Sequence, residues 1–391
     1  MAARRSPLVL IFITVFLDLV GFGIVIPILP LYAERFGASP LVIGCLLGVY
    51  SAMQCLAAPL LGKLSDRIGR RPVLFVSLLG SAAGFLIMGL AHSLPLVFLG
   101  RMIDGITGGN ISTAQAYIAD VTPPEQRSRG MGLIGAAFGL GFIFGPAIGG
   151  VLGHYSLATP LLFAAALAAA NALGVLFLLP ESLTSELRAH PRAKLPVSEV
   201  FHHARRRQLS LIITAYFVTT VSFSLLTATY PLFTERRFGY GAIQNGGLFA
   251  MQGILAAIVQ GLLLGWLVKR AGEKRLAIAG ALVLIFSMFT LPTSTTTTML
   301  FIATAGLATG HGLVAAPLNS MASQSVDAFA QGRVLGLMQS AASLARIVGP
   351  VLGGSLLQYD AVHVNTAHFG QTAYWTSGAI VLAALTLILA L

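Results

Sequence analysis

Apolar residues run along this chain in blocks long enough to cross a membrane, parted by short polar joints. A helix that spans a bilayer needs about 20 apolar residues. Blocks of that length lie near 8–32, 41–61, 73–92, 95–119, 130–153 and 159–180, and again near 209–233, 244–268, 275–292, 297–323, 333–357 and 371–391. Between the sixth and seventh lies one long polar stretch, 181–208, carrying Arg188, Arg192, Lys194, Arg205, Arg206 and Arg207. The pattern predicts an all-α integral membrane protein of 12 transmembrane helices. Its parts are an N-terminal six-helix bundle over 1–180, a basic linker over 181–208 and a C-terminal six-helix bundle over 209–391. The first block follows Arg4 and Arg5 as a signal peptide would, but it runs on to Tyr32 without a small-residue cleavage site. It therefore reads as a retained span.

Composition narrows the class. Of 391 residues, 56% are hydrophobic and only 9% charged, whereas a soluble domain carries roughly 25% charged residues. The net charge of +11 suggests nucleic acid until its placement is considered. With the N-terminus inside, the cytoplasmic cations are Arg4, Arg5, Lys63, Arg67, Arg70, Arg71, Arg127, Arg129, those of the linker, Lys269, Arg270, Lys274, Arg275 and Arg333. Only Arg35, Arg236 and Arg237 fall on the other side, and Arg101 and Arg346 lie within spans. That is the positive-inside distribution of a cytoplasmic (inner) membrane protein with both termini in the cytoplasm, and it speaks against nucleic acid as a partner. The cysteines, Cys45 and Cys55, share one apolar block and read as packing residues. The chain carries no P-loop, no added soluble domain and no clustered nucleophile and base. An enzyme, a receptor and an ATP-driven pump are disfavoured accordingly, and no cofactor or metal is expected.

The second half repeats the first. Residues 30–37 read Pro-Leu-Tyr-Ala-Glu-Arg-Phe-Gly and residues 231–239 read Pro-Leu-Phe-Thr-Glu-Arg-Arg-Phe-Gly. Gly62 to Arg71 matches Gly265 to Lys274 in glycine and basic placement, and Gly145-Pro146 with Gly149 and Gly150 returns as Gly349-Pro350 with Gly353 and Gly354. Parallel repeats of this kind place a binding site near the bilayer midplane between the halves and suggest alternating access by rocking.

Three motifs carry a family resemblance. Gly62-Lys-Leu-Ser-Asp66-Arg67-Ile-Gly69-Arg70-Arg71-Pro72 resembles the signature loop between helices two and three of the major facilitator superfamily. Leu99-Gly-Arg101-Met-Ile-Asp104-Gly105 resembles its fourth-helix motif, and Gly139-Leu-Gly141-Phe-Ile-Phe-Gly145-Pro146-Ala-Ile-Gly149-Gly150 the fifth-helix motif of its antiporters. The wording Ser-Asp-Arg-Ile-Gly-Arg-Arg-Pro, with Tyr117-Ile-Ala-Asp120, is nearest the 12-helix drug/proton antiporters of the tetracycline-efflux branch. The resemblance implies a functional monomer that exports small molecules against protons, with a cytoplasmic gate of Gly62, Asp66, Arg67, Gly69, Arg70, Arg71, Asp120, Arg127 and Arg129. Within the gate loop, glycines permit a tight turn and Asp66 and the arginines can pair with one another, with Asp120 and with helix ends. In span five Ala137, Gly141, Gly145, Gly149 and Gly153 recur every fourth residue, as do Ala341, Ala345, Gly349 and Gly353 in span eleven. Such spacing lets helix backbones approach closely in lipid.

Asp18, Arg101, Asp104 and Arg346 fall inside spans, where an ionisable group costs roughly 2.5–3.5 kcal/mol on insertion scales unless paired or hydrated. The second repeat has Thr219 at the place of Asp18 and Thr304-Ala305-Gly306 around that of Arg101. A charge kept in one half only is hard to attribute to folding. Arg101, Asp104, Gly108, Ser112 and Gln115 share one face of a continuous helix, with Asn110 on the opposite side. Asp18 is the candidate proton-coupling carboxylate, with Arg101 beside it biasing its protonation. A permanent structural ion pair is the alternative. Asp104 is a second candidate carrier or a site for a cationic substrate. Gln54, Ser112, Gln115, His311, Asn319, Gln339 and Arg346 are candidate cavity residues.

The resemblance departs at two places. Span three reads Ser81-Ala-Ala-Gly84, with glycine where the tetracycline exporters carry an aspartate, and span nine has no acid. Proton-coupled efflux of small amphipathic drug-like compounds, possible tetracyclines among them, is the function expected. The same fold would also serve a proton/solute symporter or a facilitator.

Overall fold

Lipid offers no partner to a backbone N–H or C=O, so a chain that crosses it must close its own hydrogen bonds. The computed structural model describes residues 7–123, 127–183, 206–326 and 331–391, without the side chains of Arg127, Ser128, Arg129, Arg206 and Gly332. Arg4, Arg5 and most of the linker expected over 181–208 lie outside the described residues. The described crossings are helical, the fourth interrupted at Gly108–Gly109. Before the linker come α1 (Pro7–Glu34), α2 (Pro40–Ile68), α3 (Arg70–Gly89), α4 (Leu94–Thr107), α5 (Asn110–Val121), α6 (Arg127–Gly153) and α7 (Thr159–Leu178). After it come α8 (Arg206–Phe238), α9 (Ala242–Ala257), α10 (Leu264–Ala271), α11 (Glu273–Thr290), α12 (Thr297–Gln324), α13 (Gln331–His363) and α14 (Gln371–Leu389). A π-helical segment, Ile258–Leu263, joins α9 to α10 within one crossing.

Eleven of the described helical segments are long and apolar enough to cross a membrane. The fourth crossing, expected as one helix over 95–119, is instead two shorter ones, α4 and α5, parted at Gly108 and Gly109. Adjacent glycines each cost a helix interior about 1 kcal/mol relative to alanine, and here the helix gives way at the pair. The equivalent stretch of the second repeat, Gly310-His311-Gly312, runs unbroken through α12.

The chain divides into two compact units. Met1–Gly37, Val49–Ala193 and Gly241–Ala250 form the first; Ala38–Gly48, Lys194–Tyr240 and Met251–Leu391 form the second. In the first, α1 packs on α6 and α7, and α3 on α4 and α7; in the second, α8 packs on α13 and α14, and α11 on α12 and α14. The duplicated sequence thus folds into the same packing order twice. Each unit also holds a short segment from the other sequence repeat. Gly246 meets α6 at Pro146 and Gly150 in the first unit, and Gly44 meets α13 at Pro350 and Gly354 in the second.

The glycine stripes make the tightest of these contacts. A Cβ at Gly145 would stand 2.7 Å from both the Gly23 Cα and the Val20 carbonyl oxygen of α1. Gly141 meets Leu19, Gly149 meets Ile24, and in the second unit Gly349 and Gly353 meet α8 at Val221 to Thr229. Gly145→Leu is therefore expected to force α1 from α6 and to cost at least the ~1–3 kcal/mol of an overpacked core, seen as a lower unfolding temperature of the purified protein. Gly139→Leu, where a Cβ meets nothing within 4 Å, is expected to leave that temperature where it was. Cys45 and Cys55, expected as packing residues, are exposed on α2.

Candidate functional site

Asp18, Arg101 and Asp104 lie within the first unit, in an arrangement the sequence did not foresee, while Asp360, buried in the second unit, accepts from the backbone N–H of Gly370 and Thr372. Asp18 accepts a hydrogen bond from Asn110 Nδ2 at 3.0 Å. Arg101 does not reach Asp18: its Nη1 donates to Asp104 Oδ2 at 3.1 Å, one turn along the same helix, and its guanidinium lies 4.2 Å from the centroid of the Tyr50 ring. Arg101 and Asp104 are 2% and 3% exposed. Asn110, expected on the face away from the site, turns into it. The break at Gly108–Gly109 resets the phase of the crossing, so the supposed single stripe does not exist: Ser112 and Gln115 are exposed while Asn110 is buried.

Side chains take up the carbonyls that the break releases. Gln54 Nε2 donates to the Gly108 carbonyl at 2.8 Å and to Tyr50 Oη at 3.2 Å. Thr107 Oγ1 donates to the Asp104 carbonyl at 3.3 Å, whose helical partner would have been the Gly108 N–H that instead bonds to the Gly105 carbonyl. This is how an interrupted helix is tolerated at membrane depth. Beside Asp18, Asn171 Nδ2 on α7 donates to the Thr14 carbonyl at 2.9 Å, one turn earlier on α1. Gly84 on α3 leaves the room that Asp104 occupies, since a Cβ there would stand 2.9 Å from the Asp104 Cβ.

The signature segment is not the loop expected. α2 runs through Gly62 to Ile68, α3 starts at Arg70, and only Gly69 leaves helical geometry, with φ 115°. That φ is open to glycine and strained for other residues. Arg70 is the centre of the cluster. Its Nη1 donates to Asp66 Oδ1 at 2.6 Å and to Ser65 Oγ at 2.7 Å, and its Nε donates to Asp120 Oδ2 at 3.0 Å on α5. Arg71 donates to the Leu176 carbonyl, Arg67 is exposed and Gly62 sits inside a helix. The side chains of Arg127 and Arg129 lie outside the described residues.

Glu181 completes the cluster. Its carboxylate accepts from the backbone N–H of Arg70 at 2.9 Å and of Arg71 at 3.1 Å, satisfying donors that a helix start leaves open and opposing the positive end of its dipole. Sequence reasoning passed over Glu181, although it is the first acid after the sixth apolar block. It also passed over Tyr50, which lies one helical turn from Gln54 and so on the same face.

The remaining candidates are held within the second unit. In the second unit His311 stacks on Phe223, rings 3.8 Å apart and 8° from parallel. Asn319 donates to the Ala315 carbonyl of its own helix, Arg346 donates to Ser343, and Gln339 is exposed.

Twin units of identical packing order, built of membrane-crossing helices with an unduplicated buried acid, define a polytopic membrane transporter. The chain belongs to the major facilitator superfamily, whose family model, Major Facilitator Superfamily, matches residues 11–350 and 262–391. It is 38% identical to the tetracycline resistance protein, class C, of Escherichia coli, over 96% of this chain and 94% of that one. It is 29% identical to multidrug resistance protein 2 of Bacillus subtilis, over 91% and 90%. Among solved structures, the human organic anion transporter MFSD10 (TETRAN) matches with a TM-score of 0.72 at 26% identity, covering 99% of this chain and 100% of that one. The nucleoside transporter NupG matches with a TM-score of 0.78 at 13% identity over 99% of each chain, a likeness of fold alone.

Proposed function

We propose that this protein exports small amphipathic drug-like compounds, tetracycline-type antibiotics first among them, in exchange for protons by alternating access. The observation that carries the proton coupling is Asp18. It is a carboxylate on the first crossing whose hydrogen-bond partner is a neutral amide, while the nearby cation Arg101 is engaged by Asp104. Asp18 is thereby left to exchange a proton, and the Arg101–Asp104 pair stands as a neutralised neighbour. That reading departs from the expectation that Arg101 would itself bias Asp18. The resistance proteins to which the chain is similar support the cargo. In this reading the protein is a monomer of the cytoplasmic membrane with both termini inside, and the Asp66–Arg70–Asp120 cluster closes the cytoplasmic side.

The test is drug susceptibility in a Gram-negative host stripped of its own efflux pumps. The native chain is expected to raise the inhibitory concentration of tetracycline several-fold and to lower its cellular accumulation, with the effect lost on collapsing the proton gradient. Uptake of the compound together with protons in proteoliposomes would overturn export, and gradient-independent protection would overturn proton coupling.

A further inference from the structure

The two clusters described above are joined by one short, straight element. The first residue of α5, Asn110, holds Asp18, and near its last turn Asp120 holds Arg70. Ten residues of α-helix separate them, about 15 Å at 1.5 Å per residue. At its inner end α5 is not continuous with α4: the Gly108–Gly109 break intervenes. A helix of this length is stiff along its axis, whereas at Gly108 and Gly109 the N–H groups bond to the Gly105 and Thr107 carbonyls instead of four residues back, so this joint, with no Cβ, is the place where the crossing can bend. Gln54 of α2 spans that joint by its bond to the Gly108 carbonyl.

We propose that α5 is a connecting rod between the Arg70 cluster and Asp18, that Gly108–Gly109 is its hinge, and that Gln54 is the positioning residue that holds the hinge. The inference rests on the reading of Asp18 as the proton carrier. Opening the Arg70–Asp120 contact removes the charged tether at the cytoplasmic end of α5, leaving the neutral bonds Ser182–Asp120 and Tyr117–Pro180; turning at the hinge then withdraws Asn110 from Asp18. A hydrogen bond to a carboxylate favours its charged form, so the state of the distant cluster sets how readily Asp18 holds a proton. The same chain works in reverse, because coupling between two sites is reciprocal. Few other charges bear on Asp18. Asp104 acts on it from α4 with Arg101 paired to it, and α5 adds Tyr117 and Asp120. The charged residues of α6 are Arg127 and Arg129 at its start, and α7 has none. Asn171 of α7 is neutral and bonds to backbone.

The experiment needs no transported compound. Dicyclohexylcarbodiimide modifies protonated carboxyl groups in apolar surroundings, and peptide mass spectrometry separates labelling at Asp18 from labelling at Asp104. With the full-length protein in lipid nanodiscs at about pH 9, where most Asp18 carboxyls are ionised and the protonated fraction follows proton affinity, Gln54→Ala and Asp120→Asn are each expected to raise the labelling rate of Asp18 about tenfold, the effect of about one unit in proton affinity. Their double variant is expected to label no faster than the singles, since both release the same rod. Arg270→Ala, which removes a charge from the second unit, is expected to change nothing. Unchanged Asp18 labelling in Asp120→Asn would overturn the rod, and multiplicative rates in the double variant would overturn the shared hinge. Misfolding is read separately from monodispersity and unfolding temperature, and Asn110→Ala supplies the direct control, labelling fast in a folded protein. Should transport prove independent of protons while these rates behave as stated, the proposed function fails and the rod stands; proton-driven transport with unmoved rates gives the converse.

Discussion

Asp18→Asn is expected to abolish gradient-driven accumulation while leaving equilibrium exchange of the same compound across proteoliposomes intact. An asparagine at 18 still offers an Oδ1 acceptor to Asn110, so the contact that positions the first crossing survives and the variant folds. What it lacks is a proton to release. A single proton moving down a gradient of one pH unit supplies about 1.4 kcal/mol, a tenfold concentration ratio, and that ratio is expected to collapse to unity. Asp104→Asn behaves differently. It strips the carboxylate from Arg101, a cation 2% exposed, and breaking a buried pair by removing one partner costs about 3–5 kcal/mol. Loss of folded protein is therefore its expected signature. Uphill transport by Asp18→Asn equal to native would remove Asp18 from the coupling role.

Arg70→Ala carries the second large effect, on stability and on transport alike. Its two acids are unequal partners: the Asp66 side chain is 50% exposed and that of Asp120 is 4% exposed. The Asp66 bond resembles a surface pair and contributes about 0–1 kcal/mol, whereas taking the guanidinium from the buried Asp120, which keeps a hydrogen bond from Ser182 Oγ, costs up to about 3–5 kcal/mol. Thermal unfolding is thus expected to show a large loss for Arg70→Ala and a small one for Asp66→Asn. Arg70→Lys is expected to fall near the alanine variant. A lysine is a single point charge, while Arg70 reaches the two acids with different nitrogens of a planar fork. A lysine variant as stable as native would show that charge alone holds the cluster.

Much of this was legible beforehand because lipid is an unforgiving solvent. Uninterrupted apolar blocks had to become helices, and repeats with the same glycines and prolines had to fold alike. Gly145 and Gly349 were readable as close-approach positions, and each meets the neighbouring helix backbone. The relation of Arg70 to Asp66 and Asp120 was readable as a possibility of charge pairing. The Gly62–Pro72 loop was misread, since a membrane-surface segment rich in charge is equally able to prolong a helix into water.

Span four shows where the sequence stops. A face assigned by 3.6-residue periodicity holds only while the helix is continuous, because each residue turns it by about 100°. Two residues outside helical geometry at Gly108–Gly109 were enough to exchange Asn110 for Arg101 as the partner of Asp18. The sequence by itself determined the class, the apolar blocks, the duplication and the identity of the unduplicated charges, all of which depend on local composition and spacing. Which charge meets which was decided only by the tertiary structure. The rotation of one helix at a two-residue break, and the α2 glutamine that satisfies the carbonyl exposed there, depend on packing between segments distant in the chain.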